Sequence, residues 1–312
     1  SSLIFEGLKP VFVDVDKQTL QILEKDISKK ITKKTKAIMI PNLIGNIPML
    51  DVLKKIAKKN KLIFIQDSAD TIGATFKGNK LGKYSDMLIT SFYGSHVISC
   101  AGNGGMLLLN KKIDYLNAKT LRSWGRASSI IKDSENIKKR LNIKLDGFEY
   151  DRKFVFEKPG FNIEPSEISA SFGLVQIKKL KKFTYLRNKN FFKHFFFFKK
   201  LKNYFIIPKI YENVTTNFLA YPIIIKENKY FNRRELQTFL EKSNIQTRPI
   251  FSGNILRHPA FNKLYKFKKN EFKNSDYIMK NGLLIGCHHG LKEKQIKSIH
   301  FQIKQFLKKH VG

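Results

Sequence analysis

The run Ser91-Phe92-Tyr93-Gly94-Ser95-His96 closes a predicted strand and leads into the glycine-rich stretch Gly102-Asn103-Gly104-Gly105. An imidazole delivered by a strand end has an unperturbed pKa of about 6.5, which suits a general base near neutral pH. The plain alternative is a histidine that only satisfies local polar groups. Gln66-Asp67-Ser68-Ala69-Asp70 ends another apolar run, Leu62 to Gln66. A carboxylate placed there can pair with a cationic group, although Asp67-Ser68 could equally open a short helix as a cap. Asp70 would support neighbouring polar groups. Ser91 offers a strand-end hydroxyl, and Gly160-Phe161-Asn162 offers an amide in a turn-forming context.

Arg248 and His258 are candidates for binding a diphosphate or a carboxylate, since a guanidinium fork grips either bidentately. A surface ion pair is the alternative for each. The neighbours His288 and His289 do not make a metal site in this reading, because adjacent side chains on a strand point to opposite faces. No metal is expected.

These residues need strand ends to carry them. Ala37 to Pro41 and Leu62 to Gln66 are short apolar runs bounded by charge, as buried parallel strands are. Pro48 to Asn60 between them has Leu50, Leu53, Ile56 and Ala57 at helical spacing behind a permitted proline. Pro10 to Asp16 alternates apolar and acidic residues and predicts a further strand. Met87 to Phe92 and Gly104 to Asn110 complete about five strands, as counted by the alternation rule. The expected fold is α/β, with a mostly parallel central sheet sandwiched by helices.

Beyond Lys111 the pattern predicts a helix to Ser123, loops over Ala127 to Lys158, and one long helix over Pro165 to Lys193. From Asn217 a smaller α+β region follows: strands over Asn217 to Ile225, Ile245 to Pro249 and Leu283 to Cys287, with helices over Phe231 to Ser243, Phe272 to Asn281 and Lys292 to Lys309. The expected division is a large domain over residues 1–195 and a small one over 196–312.

The formal charge is +34, from 59 basic against 25 acidic residues. Only nine of the basic residues are Arg, and the lysines are scattered along the whole chain. Base-reading surfaces favour clustered Arg forks, so nucleic-acid binding is not expected. Lysine with abundant Ile, Asn and Phe fits an AT-biased genome. Phe195 to Phe198 reads as helix core and interface, not as a stacking platform. The two cysteines, Cys100 and Cys287, have no metal-binding or CxxC spacing, which points to a reducing, cytoplasmic setting. No apolar run reaches membrane-helix length.

In order and wording, Gly7-Leu8-Lys9-Pro10-Val11-Phe12-Val13-Asp14-Val15-Asp16, Gly45-Asn46, Gln66-Asp67-Ser68-Ala69-Asp70, and Ser91-Phe92-Tyr93 with Gly104-Gly105 resemble the DegT/DnrJ/StrS-type sugar aminotransferases. The resemblance spans essentially the whole chain. It implies a pyridoxal phosphate enzyme of fold type I, usually a homodimer, and an amino-terminal segment with a phosphate-binding loop that this sequence lacks. It implies Asp67 at the cofactor's ring nitrogen, Asp70 beside it, Ser91 near the phosphate, and Asn162 reaching the phosphate of the neighbouring subunit.

Five residues after the serine the family places its Schiff-base lysine, and this chain has His96 there with no lysine between Lys83 and Lys111. That substitution resembles the nucleotide-diphospho-4-keto-6-deoxyhexose 3-dehydratases. Arg122-Ser123-Trp124-Gly125-Arg126, Thr247-Arg248-Pro249-Ile250-Phe251-Ser252-Gly253-Asn254, and Ile278-Met279 with Ile285-Gly286 are also similar to that branch.

The implied reaction has non-covalently bound pyridoxamine phosphate condense with the 4-keto group. His96 then removes a proton and the C3 hydroxyl leaves, with glutamate as a typical amino donor. Some members of the branch carry an iron-sulfur cluster, but Ala127-Ser128-Ser129-Ile130 has no cysteine where they place theirs, so none is expected. Asn103 departs from the acidic residue usual before Gly104-Gly105. Amino transfer on a nucleotide sugar, or an inactive relative, is the alternative. The pathway setting would be deoxysugar, lipopolysaccharide or O-antigen biosynthesis.

Overall fold

A computed structural model describes residues 1–268 and 270–312. Four strands, β1 (Ala37–Pro41), β2 (Ile63–Asp67), β3 (Met87–Ser91) and β4 (Gly105–Leu109), form the first sheet in that order. β1 to β2 and β2 to β3 are parallel; β3 to β4 is antiparallel. Their inward positions Ile38, Ile40, Phe64 and Leu88 pack with Leu50, Leu53 and Ala57 of α1 (Leu50–Lys59). That three- and four-residue spacing puts all three on one helix face. On the other face, Met39 and Ile63 are 41% and 44% exposed.

Pro10 to Asp16 is not a strand. Its regular pairing is one antiparallel bridge, Val15 to Ile22. The acidic residues behind the alternating pattern are engaged in loop contacts: Asp14 accepts from Asn274 N, Ser275 N and the Ser275 hydroxyl at 2.6 to 2.9 Å, and Asp16 accepts from Gln18 N and Thr19 N at 2.8 Å. Side-chain bonds to backbone compete with the ladder here and win.

α2 (Lys112–Arg122) follows β4. The segment expected to be loop contains a small hairpin, Ile143–Leu145 with Phe148–Tyr150. The long predicted helix is two, α3 (Glu167–Ile177) and α4 (Leu180–Lys199), interrupted at Lys178 and Lys179, which both keep helical dihedrals. α3 is apolar yet outward-facing, with Ile168 80% and Leu174 67% exposed.

The second sheet is antiparallel, in the order β7-β8-β6-β5, built from β5 (Phe205–Ile206), β6 (Ala220–Ile225), β7 (Thr247–Arg248) and β8 (Gly282–Gly286). α5 (Arg233–Lys242), α6 (Lys273–Asn281) and α7 (Glu293–Val311) accompany it. Its core joins Phe191 and Phe198 of α4 to Tyr221, Leu283, Ile303 and Phe306. Phe198 is 1% exposed while Phe196 is 59% exposed, so the phenylalanine run has a core side and a solvent side.

α5 begins with a capping box: Asn232 accepts from Glu235 N at 3.1 Å, and Glu235 accepts from Asn232 N at 2.8 Å. Replacing Asn232 with Ala should lower stability by about 1 kcal/mol in chemical denaturation, without changing the far-ultraviolet spectrum.

His194, on α4, is fully buried between the Gly286 carbonyl at 3.2 Å and the His300 ring at 3.0 Å. Burial pushes its pKa down to about 3, helped by His300, and burial likewise pushes His300 down to about 4. Above the ordinary histidine value of about 6.5 both states are neutral and the contribution is fully present. As pH falls below that value the unfolded chain takes protons that the folded protein refuses, so stability declines until the folded-state values are reached. The melting temperature should therefore fall between about pH 6.5 and pH 4, and His194→Phe should flatten that slope.

Candidate active site

Parallel strands deliver their carboxyl ends to one edge, and three side chains meet there. Asp67 is the last residue of β2, Asp70 lies in the turn after it, and His96 lies in the loop after β3. His96 Nδ1 stands 3.2 Å from Asp70 Oδ1, with the two side chains 16% and 5% exposed. The contact is close but not aligned as a hydrogen bond, and both atoms are buried without another partner. The second carboxylate oxygen of Asp70 accepts from Ile44 N at 2.9 Å. Ile44 has φ 58°, a left-handed backbone that a β-branched residue adopts only under strain.

Asp67 is half-buried. Burial raises its pKa, opposed by the Ala69 N–H that it accepts at 3.1 Å; nearby Asp70 adds to the rise and His96 opposes it. The frame beneath is a buried polar network, in which only Asn42 Oδ1 among the side-chain polar atoms of Asn42 and Gln66 lacks a partner. Gln66, fully buried, donates to Leu81 O and Ser85 Oγ at 2.9 Å and accepts from Asn42 Nδ2 at 3.2 Å. Asn42 N donates to Asp67 O at 2.8 Å, and Ser68 N to Ile89 O at 2.7 Å. The Ser68 and Thr71 hydroxyls bond each other.

Ser91 ends β3 opposite Gly105, and its hydroxyl accepts from Tyr93 N at 3.2 Å. His96 N donates to Tyr93 O at 3.0 Å, closing the turn that carries the imidazole. Asn162 sits apart, exposed, in a bridge to Ser123 at the end of α2. That bridge needs two glycines. A Cβ on Gly125 would fall 1.7 Å from Lys158 O, and one on Gly160 would fall 2.2 Å from Gly125 N.

Arg248 and His258 belong to the second sheet's side of the molecule. Arg248 is exposed and donates to the adjacent Thr247 carbonyl at 2.8 Å; His258 Nε2 lies 2.8 Å from Ser252 O. The structure thus groups Asp67, Asp70 and His96, places Ser91 at the same sheet edge, and leaves Asn162, Arg248 and His258 on other segments.

The reason given against a metal at His288 and His289 does not hold. Both lie beyond the end of β8, where strand alternation no longer applies, and their rings are 3.9 Å apart. Phe183 stacks on His289 at 3.6 Å. Among the described residues no group of three metal-ligating side chains is assembled. No described helix is long and apolar enough to cross a membrane.

Residues 1–304 match the DegT/DnrJ/EryC1/StrS aminotransferase family. The chain belongs to that family. It is 30% identical to the lipopolysaccharide biosynthesis protein RfbH of Salmonella typhimurium over 97% of this chain and 70% of that protein. It is also 30% identical to a GDP-4-keto-6-deoxy-D-mannose 3-dehydratase of Escherichia coli, over 90% of this chain and 71% of the relative. A solved structure of an Escherichia coli GDP-4-keto-6-deoxy-D-mannose-3-dehydratase with bound hydrated PLP superposes with a TM-score of 0.83 at 29% identity. It covers 96% of this chain and 75% of that one. The fold is that of the pyridoxal phosphate-dependent aminotransferases, and pyridoxal phosphate is the family's cofactor.

The residues present fit that cofactor. Asp67 is a half-buried carboxylate whose pKa burial raises, and among the described residues it forms no salt bridge; a protonated ring nitrogen would supply the cation it lacks. Asp70 Oδ1 and His96 Nδ1 are orphaned polar atoms at the same place. Asn42 and Ile44, which help hold this arrangement, belong to no motif in the sequence, and Gln66 stands in the quoted run with no role assigned to it. Buried polar residues next to a strand end were the one available signal.

Proposed function

We propose that the protein is a pyridoxal or pyridoxamine phosphate-dependent 3-dehydratase of a nucleotide-diphospho-4-keto-6-deoxyhexose, working as a cytoplasmic homodimer in deoxysugar or lipopolysaccharide O-antigen biosynthesis. The observation that carries this reading is His96, seated against Asp70 in a loop with no lysine from residue 84 to 110. A histidine in that stretch supplies no amine to tie the cofactor down covalently, whereas its imidazole can still move protons.

When bound, the cofactor supplies an amine for the 4-keto carbon and a ring that draws electrons from it. Asp67 keeps the ring nitrogen protonated and oriented. Asp70 holds His96 by its Nδ1 side, which leaves Nε2 as the nitrogen that takes and returns the proton. The C3 hydroxyl leaves as water with the proton that His96 returns. Hydrolytic loss of the C4 nitrogen as ammonia leaves a 3-deoxy-4-keto sugar, the two electrons coming from the amino donor, which is oxidised to its 2-oxo acid. Ser91 serves the cofactor phosphate, and Asn162, exposed on its glycine-braced loop, serves that of the neighbouring subunit. Arg248 and His258 contact the nucleotide diphosphate or the carboxylate of an amino donor such as glutamate.

The test is incubation with pyridoxamine phosphate, glutamate and a panel of nucleotide-linked 4-keto-6-deoxyhexoses, read by mass spectrometry and proton NMR. Loss of the C3 hydroxyl is expected. An aminated sugar with C3 intact, or a pyridoxyl adduct on a lysine after borohydride, would assign amino transfer instead.

A further inference from the structure

Arg187, on α4, is 1% exposed, and no carboxylate forms a salt bridge with it among the described residues. Buried guanidinium groups are normally paired, because leaving one without an anion is costly. Its Nη1 donates to the carbonyls of Phe218 and Leu219, at 3.3 and 3.0 Å. Those carbonyls belong to the segment that enters β6, which runs directly over the active-site edge. Leu219 N donates to Ile44 O at 3.1 Å, Ile44 N donates to Asp70 Oδ2 at 2.9 Å, and Asp70 Oδ1 faces His96 Nδ1 at 3.2 Å. The same segment is fastened at two more points: Thr216 Oγ1 donates to Gly45 O at 2.5 Å, and Asn217 Nδ2 to Ile72 O at 2.6 Å.

Residues 216–219 are therefore a strap across the loop after β1 and the turn after β2 that carries Asp70, and α4 is its anchor. We infer that Arg187 is a positioning residue for His96, acting through Leu219, Ile44 and Asp70. The strained backbone of Ile44 gives the chain its consequence. Only in the left-handed conformation does Ile44 present its N–H to Asp70 while its carbonyl meets Leu219, and the strap is what holds that conformation in place. Electrostatics agrees with the geometry. Burial lowers the Arg187 pKa, and Cys287 and then Asp70 are the groups that oppose it.

This inference rests on His96 and Asp70 working as a pair, and ring-nitrogen NMR of histidine-labelled protein separates the two ideas. The His96 signals are assigned by their loss in His96→Asn. With the Asp70 carboxylate 3.2 Å away, its charge favours a proton on the facing nitrogen, so neutral His96 should carry its proton on Nδ1. In Asp70→Asn the amide oxygen stays on Ile44 N, its NH2 faces the imidazole, and the proton moves to Nε2.

Arg187→Gln should shift His96 in that same direction and lower kcat about 3- to 30-fold with KM unchanged. Added to Asp70→Asn it should do nothing further. Arg187→Lys should give a smaller shift of the same sign, and it carries the test alone if the Gln variant does not fold. An unchanged His96 in the folded Arg187 variants overturns the inference while the pair stands. An unchanged His96 in Asp70→Asn overturns the pair itself.

Discussion

The His96→Asn variant should retain the cofactor's near-ultraviolet absorbance and lose C3 dehydration by a factor of about 10² to 10⁴. Asn matches the imidazole in reach and polarity but has no proton to take or give near neutral pH. The backbone around position 96 is set by bonds the side chain does not make, from His96 N to Tyr93 O and from Phe92 N to Gly104 O, at 3.0 and 2.9 Å. Folding and cofactor binding should therefore survive. Single-turnover assay on the 4-keto sugar is the measurement, and turnover within threefold of wild type would sink the assignment of His96 as the base.

The second large effect is expected at Asp67. Its carboxylate is held above its ordinary pKa mainly by burial, so it has an unmet demand for a cationic donor. Asp67→Asn keeps the shape and the bond from Ala69 N but removes the charge. A hydrogen bond to a charged partner is worth about 1.5 to 3 kcal/mol, so pyridoxamine phosphate should bind about 10- to 150-fold more weakly. Equilibrium titration of the cofactor's absorbance reads this directly. Because the partially buried acid resists ionisation, the wild-type affinity should also weaken as pH falls through the raised Asp67 pKa, and that dependence should vanish in Asp67→Asn. Equal affinity in the two proteins would remove Asp67 from the cofactor site.

Much of the frame could be read before folding was considered. Leu62 to Gln66 and Met87 to Phe92 declare themselves by apolar runs with polar ends, and the polar ends are the chemistry. The helix at Leu50–Lys59 follows from its apolar spacing, and the one at Arg233–Lys242 falls within the predicted range and is closed by a capping box. Pro10 to Asp16 misled because alternation says nothing about whether a neighbouring strand exists. Its carboxylates found backbone donors in residues 274 and 275 instead.

Asp67 and His96 were visible as types at strand ends. Their meeting was less so, since Asp70 faces His96 only after β2 and β3 align side by side. Arg187 was not legible at all as part of the site. Among the lysines of α4 it reads as one more solvated cation, and only the return of residues 216–219 over the first sheet buries it. Nor does a lone isoleucine announce a left-handed backbone, because local propensity argues against it and tertiary bonds impose it.

Trp124 is the chain's one tryptophan, and its backbone N–H donates to Phe161 O at 2.8 Å, one residue before Asn162. It is 38% exposed, with the Arg126 guanidinium 4.6 Å from its ring. The single indole of this sequence thus sits at the Gly160-Phe161-Asn162 loop, where excitation beyond the absorption of the eleven tyrosines selects it. Tryptophan-selective emission therefore reports on that loop, so docking of a second subunit or a ligand there can be followed by intensity and quenching without any label.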